Sequence, residues 1–357
     1  MKIDKKTIIN ELMGQSGVDA MLLHSPQNRY WFSRFNSSLG YILVTKTKTY
    51  LFVDGRYLTA AQNLKDLQNI DEIIGFGAVY KLLQEKLVAH NITKLGYESD
   101  WVFVKDAKLW QTNLTAELLG INTENIRIKK DDWEIEQIQT ACDITKKVFD
   151  DVIANVKPGM TEKELARFVS DSFLKFNADK LSFDTIVASG INGAMPHAVP
   201  SDKKIASGDL VTLDMGCFYN GYASDQTRTF AMGEKIDLKL KEIFQIVYDA
   251  QQAGIDAVKA GVEAKKIHEV CFNYIDQKGY GQWFTHGTGH GLGIEIHEEP
   301  YQSVAGNKIL EPGHVITVEP GIYIPGLGGV RIEDDILVTS EGSKVLTSAK
   351  RELIFVK

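Results

Sequence analysis

Apolar residues in the first third of the chain follow two alternating patterns. Spacing typical of amphipathic helices occurs at 4–16, 56–65, 79–90 and 103–113. Short apolar runs typical of strands occur at 18–23, 40–44, 50–53, 73–75 and 94–97. The polar run 45–49 predicts a hairpin turn between two of these strands. The alternation predicts a small α/β domain with a mixed sheet, followed by a crossover at 114–130.

The rest of the chain begins with helical patterns and then changes character. A long helix is predicted from about 131 to 156, because Pro158-Gly159 follows it. Thr161 and Glu164 form a capping-box pattern that starts the next helix. Strand-like segments, the first at 182–188, and glycine loops then dominate, with helices near 237–259 and 263–278. We therefore expect two domains, 1–125 and 126–357.

The composition is that of an ordinary folded protein with an acidic excess. The 357 residues include 40 Lys and Arg against 47 Asp and Glu, a formal net charge of −7. Nucleic acid and anionic lipid surfaces are therefore not expected as partners. No apolar stretch approaches the roughly 20 residues that cross a bilayer, and the charged N-terminus lacks the apolar region of a signal peptide. Cys142, Cys217 and Cys271 are widely spaced, which indicates reduced buried thiols in a cytoplasmic protein.

Two aspartates fall on a predicted hairpin. Asn220-Gly221 is a strong turn signal between two strand-like segments. If these residues form the turn, Asp214 lies opposite Thr227, and Asp225 shares the face of Thr227. Asp214 and Asp225 then become diagonal neighbours across two strands. The alternative is two solvated carboxylates on an exposed face, but the residues around Asp214 are apolar.

A glycine-rich loop carries three of the eight histidines. His286, His290 and His297 lie within 284–300, where glycines at every second position from 287 to 293 argue against a helix. The spacing does not match the GxGxxG pattern of dinucleotide loops. Dense glycine permits close approach of the backbone to a bound group, so these histidines are candidates for a binding site. A structural role is the alternative for any one of them.

Four further residues are weaker candidates when taken alone. Glu319 ends an apolar strand just before a Pro-Gly turn. Arg331 and Glu333 share one face of a predicted strand at 328–338. His197 follows a proline in a loop. Each of the charged residues could equally be a charge at a strand edge.

Convergence of the acidic candidates would require cations. If Asp214, Asp225, Glu319 and Glu333 meet beside His290, each close pair of charges costs about 1 kcal/mol in water-like surroundings and about 4 kcal/mol at an effective dielectric near 20. Two divalent ions would balance four carboxylates. An oxygen-rich set with one imidazole suits Mn²⁺ and tolerates Co²⁺ or Zn²⁺. Paired ions about 3.5–4 Å apart activate water and stabilise an oxyanion.

The same five residues, in this order, resemble the ligands of the dinuclear site in the M24 metallopeptidases. The segments LDMG, ASDQTRTF, HGTGHGLG, VEPG and VRIEDD are similar to that family's motifs and fall in its order over about residues 130–357. The resemblance implies an α/β (α+β) fold: a pita-bread catalytic domain preceded by a smaller creatinase-type α/β N-terminal domain. SPQNRY at 25–30 and VDGRY at 53–57 resemble that N-terminal domain.

The resemblance also implies roles for the five ligands. Asp214 would bind one metal ion, Asp225 and Glu333 would bridge both ions, and His290 and Glu319 would bind the second. A bridging water or hydroxide would attack the scissile carbonyl, and Glu319 would relay its proton.

Four other residues match positions around the metals in the Xaa-Pro branch of the family. His197 and His297 would stabilise the tetrahedral intermediate and hold the substrate. His286 would shape the pocket on the proline side. Arg331 would either orient the bridging carboxylates or pair with a nearby acid.

An Xaa-Pro amide is tertiary and has no N–H to donate. Its cis and trans forms differ by only about 0.5–1 kcal/mol, so a pocket for the ring can select one isomer. Phe183, Tyr222 and Trp283 are aromatic candidates for that pocket, and core packing is the alternative for each.

The implied activity is that of an Xaa-Pro aminopeptidase, which acts on proline-containing peptides. A prolidase limited to dipeptides is the alternative, and the 13 residues between Glu319 and Glu333 resemble the shorter, prolidase-like members. A non-catalytic pita-bread relative is a third possibility. The presence of all five ligands argues against it. Relatives are often homodimers, so a homodimer is expected here.

Overall fold

The first third of the chain forms a six-stranded sheet with helices around it in the computed structural model, which describes residues 3–357. The strands are β1 (Ala20–Leu23), β2 (Gly40–Thr45), β3 (Thr49–Asp54), β4 (Glu72–Phe76), β5 (Lys94–Glu98) and β6 (Glu117–Ile121). The helices are α1 (Lys5–Ser16), α2 (Pro26–Ser33), α3 (Leu58–Asn63), α4 (Val79–Ala89) and α5 (Val104–Asn113). The strand order β4-β3-β2-β1-β5-β6 contains both parallel and antiparallel pairs. The predicted mixed sheet is confirmed.

Two elements of this unit differ from the predictions. Strand β6 lies within the segment predicted as a crossover, and that prediction was wrong. The segment reads ELLGI, a half-exposed run with a glycine, and it becomes a strand by pairing in parallel with β5. Helix α2 covers a segment identified above only by its family motif. Pro26 occupies its first turn and the Ser25 hydroxyl accepts from the Asn28 amide, which are ordinary helix-start signals.

The chain divides into two compact units, the first ending at Arg127 and the second beginning at Ile128. The helices of the second unit are α6 (Asp132–Asn155), α7 (Glu162–Lys175), α8 (Leu238–Ala257) and α9 (Ala264–Gln277). Short 3₁₀ turns cover Gly190–Ala194 and Gly281–Trp283. Thr161 and Glu164 form the predicted capping box at the start of α7.

Fourteen strands of the second unit form four sheets. They are β7 (Lys180–Leu181), β8 (Ile186–Ser189), β9 (Leu210–Met215), β10 (Cys217–Tyr219), β11 (Tyr222–Ala223), β12 (Gln226–Met232), β13 (Gly289–Gly291), β14 (Glu298–Gln302), β15 (Val315–Val318), β16 (Gly321–Ile324), β17 (Gly328–Arg331), β18 (Asp334–Val338), β19 (Ser343–Val345) and β20 (Phe355–Val356). The sheet orders are β20-β12-β9-β8, β14-β13-β15-β18-β19, β11-β10-β7 and β16-β17. The predicted strand 182–188 is shorter than expected, because residues 182–185 are not in a strand and β8 begins at Ile186.

Two hydrophobic cores hold the second unit together. One joins α6 and α7 to the sheet that contains β8, β9 and β12. The other joins α8 and α9 to strands β15 to β18. Side chains alternate along each strand, so Leu213 and Met215 enter the first core while Asp214 points to the opposite face. In the same way Ile316 and Val318 enter the second core.

The hairpin register is the one that the turn signal predicts. Tyr219 pairs with Tyr222, and Asp214 pairs with Thr227. Asn220 and Gly221 both have positive φ, which is the conformation that such a two-residue turn requires.

The three cysteines are free and buried, as expected. Among the described residues, every helix is either too short or too polar to span a bilayer.

Candidate metal centre

Within the second unit, polar side chains from several strands and loops line one cavity of about 430 Å³. It contains all nine site residues proposed from the sequence: Asp214, Asp225, His290, Glu319, Glu333, His197, His286, His297 and Arg331. The alternation described above explains how they meet. The predicted strand 328–338 is instead two strands, β17 and β18, with residues 332–333 between them. Val330 and Ile332 enter a hydrophobic core, and Arg331 and Glu333 line the cavity.

The tightest group in the cavity consists of two carboxylates and one imidazole. One ligand atom from each of Asp225, His290 and Glu333 lies within 4.8 Å of the others. His290 Nε2 is 3.6 Å from Asp225 Oδ2 and 3.4 Å from Glu319 Oε1. Asp214 lies on β9 and pairs with Thr227 on β12, and Thr227 is two positions after Asp225 in the chain. The five proposed ligands therefore face one volume.

The ring of His290 is oriented for ligation through Nε2. Its Nδ1 lies 3.0 Å from the carbonyl oxygen of Gly291, so a proton on Nδ1 is donated there. Nε2 then presents its lone pair to the carboxylates. Burial, reinforced by nearby His297, lowers the pKa of His290 to about 3. The imidazole is therefore neutral and able to bind a metal ion.

Three buried carboxylates each have an oxygen without a hydrogen-bond partner, and in two of them the other oxygen accepts a hydrogen bond. Asp214 Oδ2 accepts from Arg331 Nη2 at 2.7 Å, and Glu333 Oε2 accepts from Thr227 Oγ1 at 2.7 Å. Asp214 Oδ1, Asp225 Oδ1 and Glu333 Oε1 are buried and have no hydrogen-bond partner. Buried carboxylate oxygens without partners are costly, so each calls for an explanation. Bound cations are an explanation that fits all three.

The electrostatics of the site point the same way. Burial raises the pKa of Asp225 well above its ordinary value, and the charges of Glu333 and Asp214 raise it further. Burial also raises the pKa of Glu333 well above its ordinary value, and the charges of Glu319 and Asp214 raise it further. Burial also raises the pKa of Glu319 to about 8. Carboxylates that resist ionisation together are the kind of group whose charges divalent ions stabilise.

Three more histidines surround this group. The rings of His297 and His290 lie 4.3 Å apart in an edge-to-face arrangement, and burial lowers the pKa of His297. His286 Nε2 is 2.8 Å from the hydroxyl of Tyr323. Burial and Arg331 lower the pKa of His286 to about 4. His197 reaches the cavity from an exposed loop.

Arg331 makes contacts in four directions. Besides Asp214, its guanidinium donates to Tyr323 Oη and to the carbonyl of Pro196, each at 3.0 Å. Its Nε donates to Thr227 Oγ1 at 3.0 Å. The sequence left two roles open for this residue. The observed contacts are those of a residue that pairs with an acid, with a link to Glu333 through Thr227.

Sequence reasoning missed three residues that hold the proposed site residues in place. Thr227 and Thr317 each donate to a carboxylate, and Thr317 Oγ1 is 3.2 Å from Glu319 Oε1 and 3.1 Å from the amide of His290. Strand alternation could have found Thr317, because it precedes Glu319 by two positions. Tyr323 had no such signal, since its approach to His286 depends on the hairpin of β16 and β17.

The aromatic candidates for a proline pocket have different locations. Phe183 lines the cavity. Tyr222 instead donates to Glu134 Oε1 at 2.6 Å, and Trp283 packs against the core around α8 and α9. Core packing was the stated alternative, and the contacts of Tyr222 and Trp283 correspond to it.

Comparison with known proteins gives consistent matches over the whole chain. Residues 136–340 match the sequence model of metallopeptidase family M24, and residues 8–128 match that of the creatinase/prolidase N-terminal domain. A putative Xaa-Pro aminopeptidase of Mycoplasma genitalium is 38% identical, with 97% of each chain covered. An Xaa-Pro dipeptidase of Pyrococcus horikoshii is also 38% identical, with 98% of this chain and 99% of that protein covered.

A solved structure, an Xaa-Pro dipeptidase from Bacillus anthracis, superimposes with a TM-score of 0.95. It is 39% identical, with 98% of this chain and 99% of that chain covered. These matches confirm the predicted fold class, a pita-bread domain preceded by a creatinase-type N-terminal domain.

Proposed function

Because the chain belongs to metallopeptidase family M24, we propose that it is a metal-dependent exopeptidase that hydrolyses the Xaa-Pro bond at the N-terminus of peptides. The observation that carries this proposal is the convergence of four carboxylates and one neutral imidazole on one cavity, with three buried carboxylate oxygens unpartnered. Relatives named both aminopeptidase and dipeptidase support the bond that is cleaved.

Two divalent ions would be held by Asp214, Asp225, His290, Glu319 and Glu333. Their donor set is rich in oxygen with one nitrogen, which favours Mn²⁺ and accommodates Co²⁺ or Zn²⁺. When bound, such ions supply a water activated for attack and charge stabilisation for the oxygen that becomes negative.

Glu319 is the residue that we propose to carry the proton. Its Oε1 is fixed by Thr317, so the carboxyl group keeps one orientation in the cavity. Burial raises its pKa in the metal-free site, whereas bound cations would favour the charged form, which can accept a proton.

His297 and His197 are proposed to stabilise the tetrahedral intermediate. The lowered pKa of His297 keeps its ring neutral, so one ring nitrogen can donate a hydrogen bond to the developing oxyanion. His197 approaches from the loop after β8 and would hold the substrate from the other side.

The proline ring is proposed to lie near His286. Tyr323 fixes the ring of His286, and Phe183 and Ile296 give the cavity apolar surface. The proline nitrogen has no N–H group that would need an acceptor in the pocket. Apolar side chains can therefore contact the proline ring.

Arg331 favours an aminopeptidase over a dipeptidase. The C-terminal carboxylate of an Xaa-Pro dipeptide lies next to the scissile bond and would need a cation. The guanidinium in the cavity is already bound to Asp214, Tyr323 and Thr227. A longer peptide has a neutral amide in place of that carboxylate. We therefore propose Xaa-Pro aminopeptidase activity, with dipeptidase activity as the alternative that the similarity to the Bacillus anthracis structure supports.

The proposal is tested by comparing hydrolysis of Ala-Pro, Ala-Pro-Ala and Ala-Ala-Ala after addition of Mn²⁺. Release of alanine from Ala-Pro-Ala, with little from Ala-Ala-Ala, is expected. Hydrolysis of Ala-Pro alone would replace the aminopeptidase by the dipeptidase. Hydrolysis of none of the three, with Mn²⁺ bound, would overturn the proposed activity.

Three expectations from the sequence remain proposals. We propose Mn²⁺ as the physiological ion, a homodimer as the assembly and the cytoplasm as the location. Metal analysis of protein purified without added metal tests the first, light scattering tests the second, and cell fractionation tests the third.

A further inference from the structure

A single buried carboxylate joins the two ends of the loop that carries His197. Glu162 is the first residue of α7 and is fully buried, with 0% of its surface exposed. Its Oε1 accepts from the backbone N and the Oγ of Ser189, each at 2.8 Å. Its Oε2 accepts from the backbone N of Ser201 at 3.1 Å and from Ser201 Oγ at 2.6 Å. Because Ser189 ends β8 and Ser201 follows the loop, the carboxylate closes the loop 190–200 at its base.

The loop adds a third donor of its own. Asn192 Nδ2 lies 3.1 Å from both oxygens of Glu162. Burial alone would raise the pKa of Glu162, but the hydrogen bonds from Ser201 and Ser189 outweigh it and lower the pKa. The position at the first turn of a helix favours the same charged form. The charge that the donors need is therefore retained at neutral pH.

The tip of the loop has a second anchor. Arg331 donates to the carbonyl of Pro196 at 3.0 Å, next to His197. The backbone at Gly193 packs so closely on β17 that an added Cβ would lie 3.0 Å from the amide nitrogen of Gly329. The base bound to Glu162 and the tip bound to Arg331 together determine where His197 enters the cavity.

Ala198 is the small buried apolar residue of this loop, and its larger apolar side chains contribute little burial. Ile191, Met195 and Val199 are 61%, 49% and 82% exposed. A loop with exposed apolar side chains depends on its polar contacts to keep one conformation. Those contacts are concentrated on Glu162.

We propose that Glu162 is a positioning residue, whose carboxylate fixes the loop 190–200 and thereby the place of His197 in the cavity. The effect on catalysis rests on the proposed function. The effect on the order of the loop does not, so the two parts can be tested separately.

Two variants remove the interaction and two control for general damage. Glu162→Gln keeps the volume but loses the charge, and Ser201→Ala removes one donor at the end of the loop. Ser172→Ala is the matched control, because Ser172 Oγ donates to Asp151 Oδ2 at 3.0 Å from the same helix without touching the loop. Ser201→Thr keeps the hydroxyl and is the conservative variant. Circular dichroism establishes that each variant is folded.

The first readout is amide hydrogen exchange of the full-length chain over residues 190–199, followed by mass spectrometry. Exchange about tenfold faster is expected in Glu162→Gln and Ser201→Ala, because local opening becomes easier. Ser172→Ala and Ser201→Thr should exchange like the wild type. If Glu162→Gln does not fold, Ser201→Ala carries the test. Unchanged exchange in the folded variants would overturn the proposal.

The second readout is hydrolysis of Ala-Pro-Ala with Mn²⁺. A displaced His197 should lower kcat about 10- to 100-fold in Glu162→Gln and Ser201→Ala, with KM changed about twofold at most, since small misplacements of a catalytic group are costly. Faster exchange with unchanged kcat would overturn the positioning of His197 and leave a structural role only. If the wild type hydrolyses no peptide, the proposed function fails, and the exchange experiment still decides the role of Glu162 in the loop.

Discussion

Arg331 Nη2 lies 2.7 Å from Asp214 Oδ2, and both side chains are almost fully buried. Among residues 3–357, this is the contact in which a permanently charged side chain pairs with a proposed metal ligand. The remaining guanidinium nitrogens are occupied by Tyr323, Thr227 and Pro196. Arg331 is therefore both a counter-charge and a link between the strands that carry the ligands.

The first prediction concerns the shape of that guanidinium. Arg331→Lys keeps the charge but has three donors on one atom, so it cannot reach Asp214, Thr227 and Tyr323 together. We expect kcat for Ala-Pro-Ala to fall about 100-fold, since misplacement of the ligands by a fraction of an ångström is sufficient for such a loss. The control is Arg56→Lys, which alters an exposed pair with Asp54. Equal activity of the two variants would argue against this role for Arg331.

The second prediction concerns the cost of the acidic cluster without metal. Asp225→Asn and Glu333→Gln each remove one charge from a group whose members raise one another's pKa. In protein treated with a chelator, both variants should therefore melt at the same or a higher temperature than the wild type. Both should lose Mn²⁺ binding and activity, because a ligand of the ions is gone.

Melting curves with and without Mn²⁺ measure this directly. Wild-type protein should gain about 2.7 kcal/mol of stability when free Mn²⁺ is 100 times its dissociation constant. Neither variant should show that gain. Asp202→Asn, which removes an exposed carboxylate paired with Lys163, is the control and should respond to Mn²⁺ like the wild type. A variant at 225 or 333 that binds Mn²⁺ normally would contradict the ligand assignment.

The third prediction is a pH dependence of the metal-free protein. Burial raises the pKa of Glu319 to about 8, and burial likewise raises that of Asp335 to about 8. In the unfolded chain these groups lose their protons near their ordinary values of 4.5 and 3.8. Between those values and about 8 the unfolded state therefore binds fewer protons than the folded state. Stability falls as pH rises through this range, by at most about 1.4 kcal/mol per pH unit for each group.

Chemical denaturation at pH 5, 6, 7 and 8 in the presence of a chelator measures that slope. Glu319→Gln should reduce it, since one of the carboxyl groups with a raised pKa no longer titrates. The control is Glu311→Gln: Lys129 lowers the pKa of Glu311, so this exposed group contributes nothing to the slope above pH 5. With saturating Mn²⁺ the trend should reverse, because metal binding requires deprotonated carboxylates. A flat profile without metal would contradict the raised pKa values.

These tests bear on residues that the sequence predicts to different degrees. The pair Asp214 and Thr227 followed from the turn at Asn220-Gly221, because a two-residue turn determines the whole register of a hairpin. Alternation predicted that Glu333 shares a face with Arg331, whereas Glu319 was predicted only as the residue that ends a strand. Their convergence on one cavity was not derivable from alternation, and only the family resemblance implied it.

Contacts between segments distant in sequence could not be predicted from the sequence patterns. The backbone N of Asp225 donates to Asp335 Oδ2 at 2.9 Å, across 110 residues of sequence. Glu162 lies between the capping-box residues Thr161 and Glu164, and no sequence pattern predicts that it binds both ends of the loop of His197. Such contacts depend on how sheets and loops meet in space, for which a short sequence pattern carries no signal.

The last prediction concerns a buried ion pair next to the histidine loop. Lys130 Nζ lies 3.0 Å from Glu298 Oε2, and both side chains are at most 3% exposed. Glu298 directly follows His297, and Lys130 precedes the N-cap of α6. The pair therefore fastens the segment of His297 to the start of the longest helix.

Breaking this pair from one side should be far more damaging than removing it whole. Lys130→Met removes the buried ammonium that contacts Glu298, and Glu298→Gln removes the negative charge that Lys130 contacts, so each should cost about 3–5 kcal/mol of unfolding free energy. The double variant removes both charges of the pair and should recover part of that loss, which urea denaturation would measure. The control is the double variant Lys129→Met with Glu311→Gln. This removes an exposed ion pair whose lysine is next to Lys130 in the chain, and stability should change by less than about 1 kcal/mol. Additive losses in the double variant would mean that Lys130 and Glu298 contribute to stability independently and do not act as a pair.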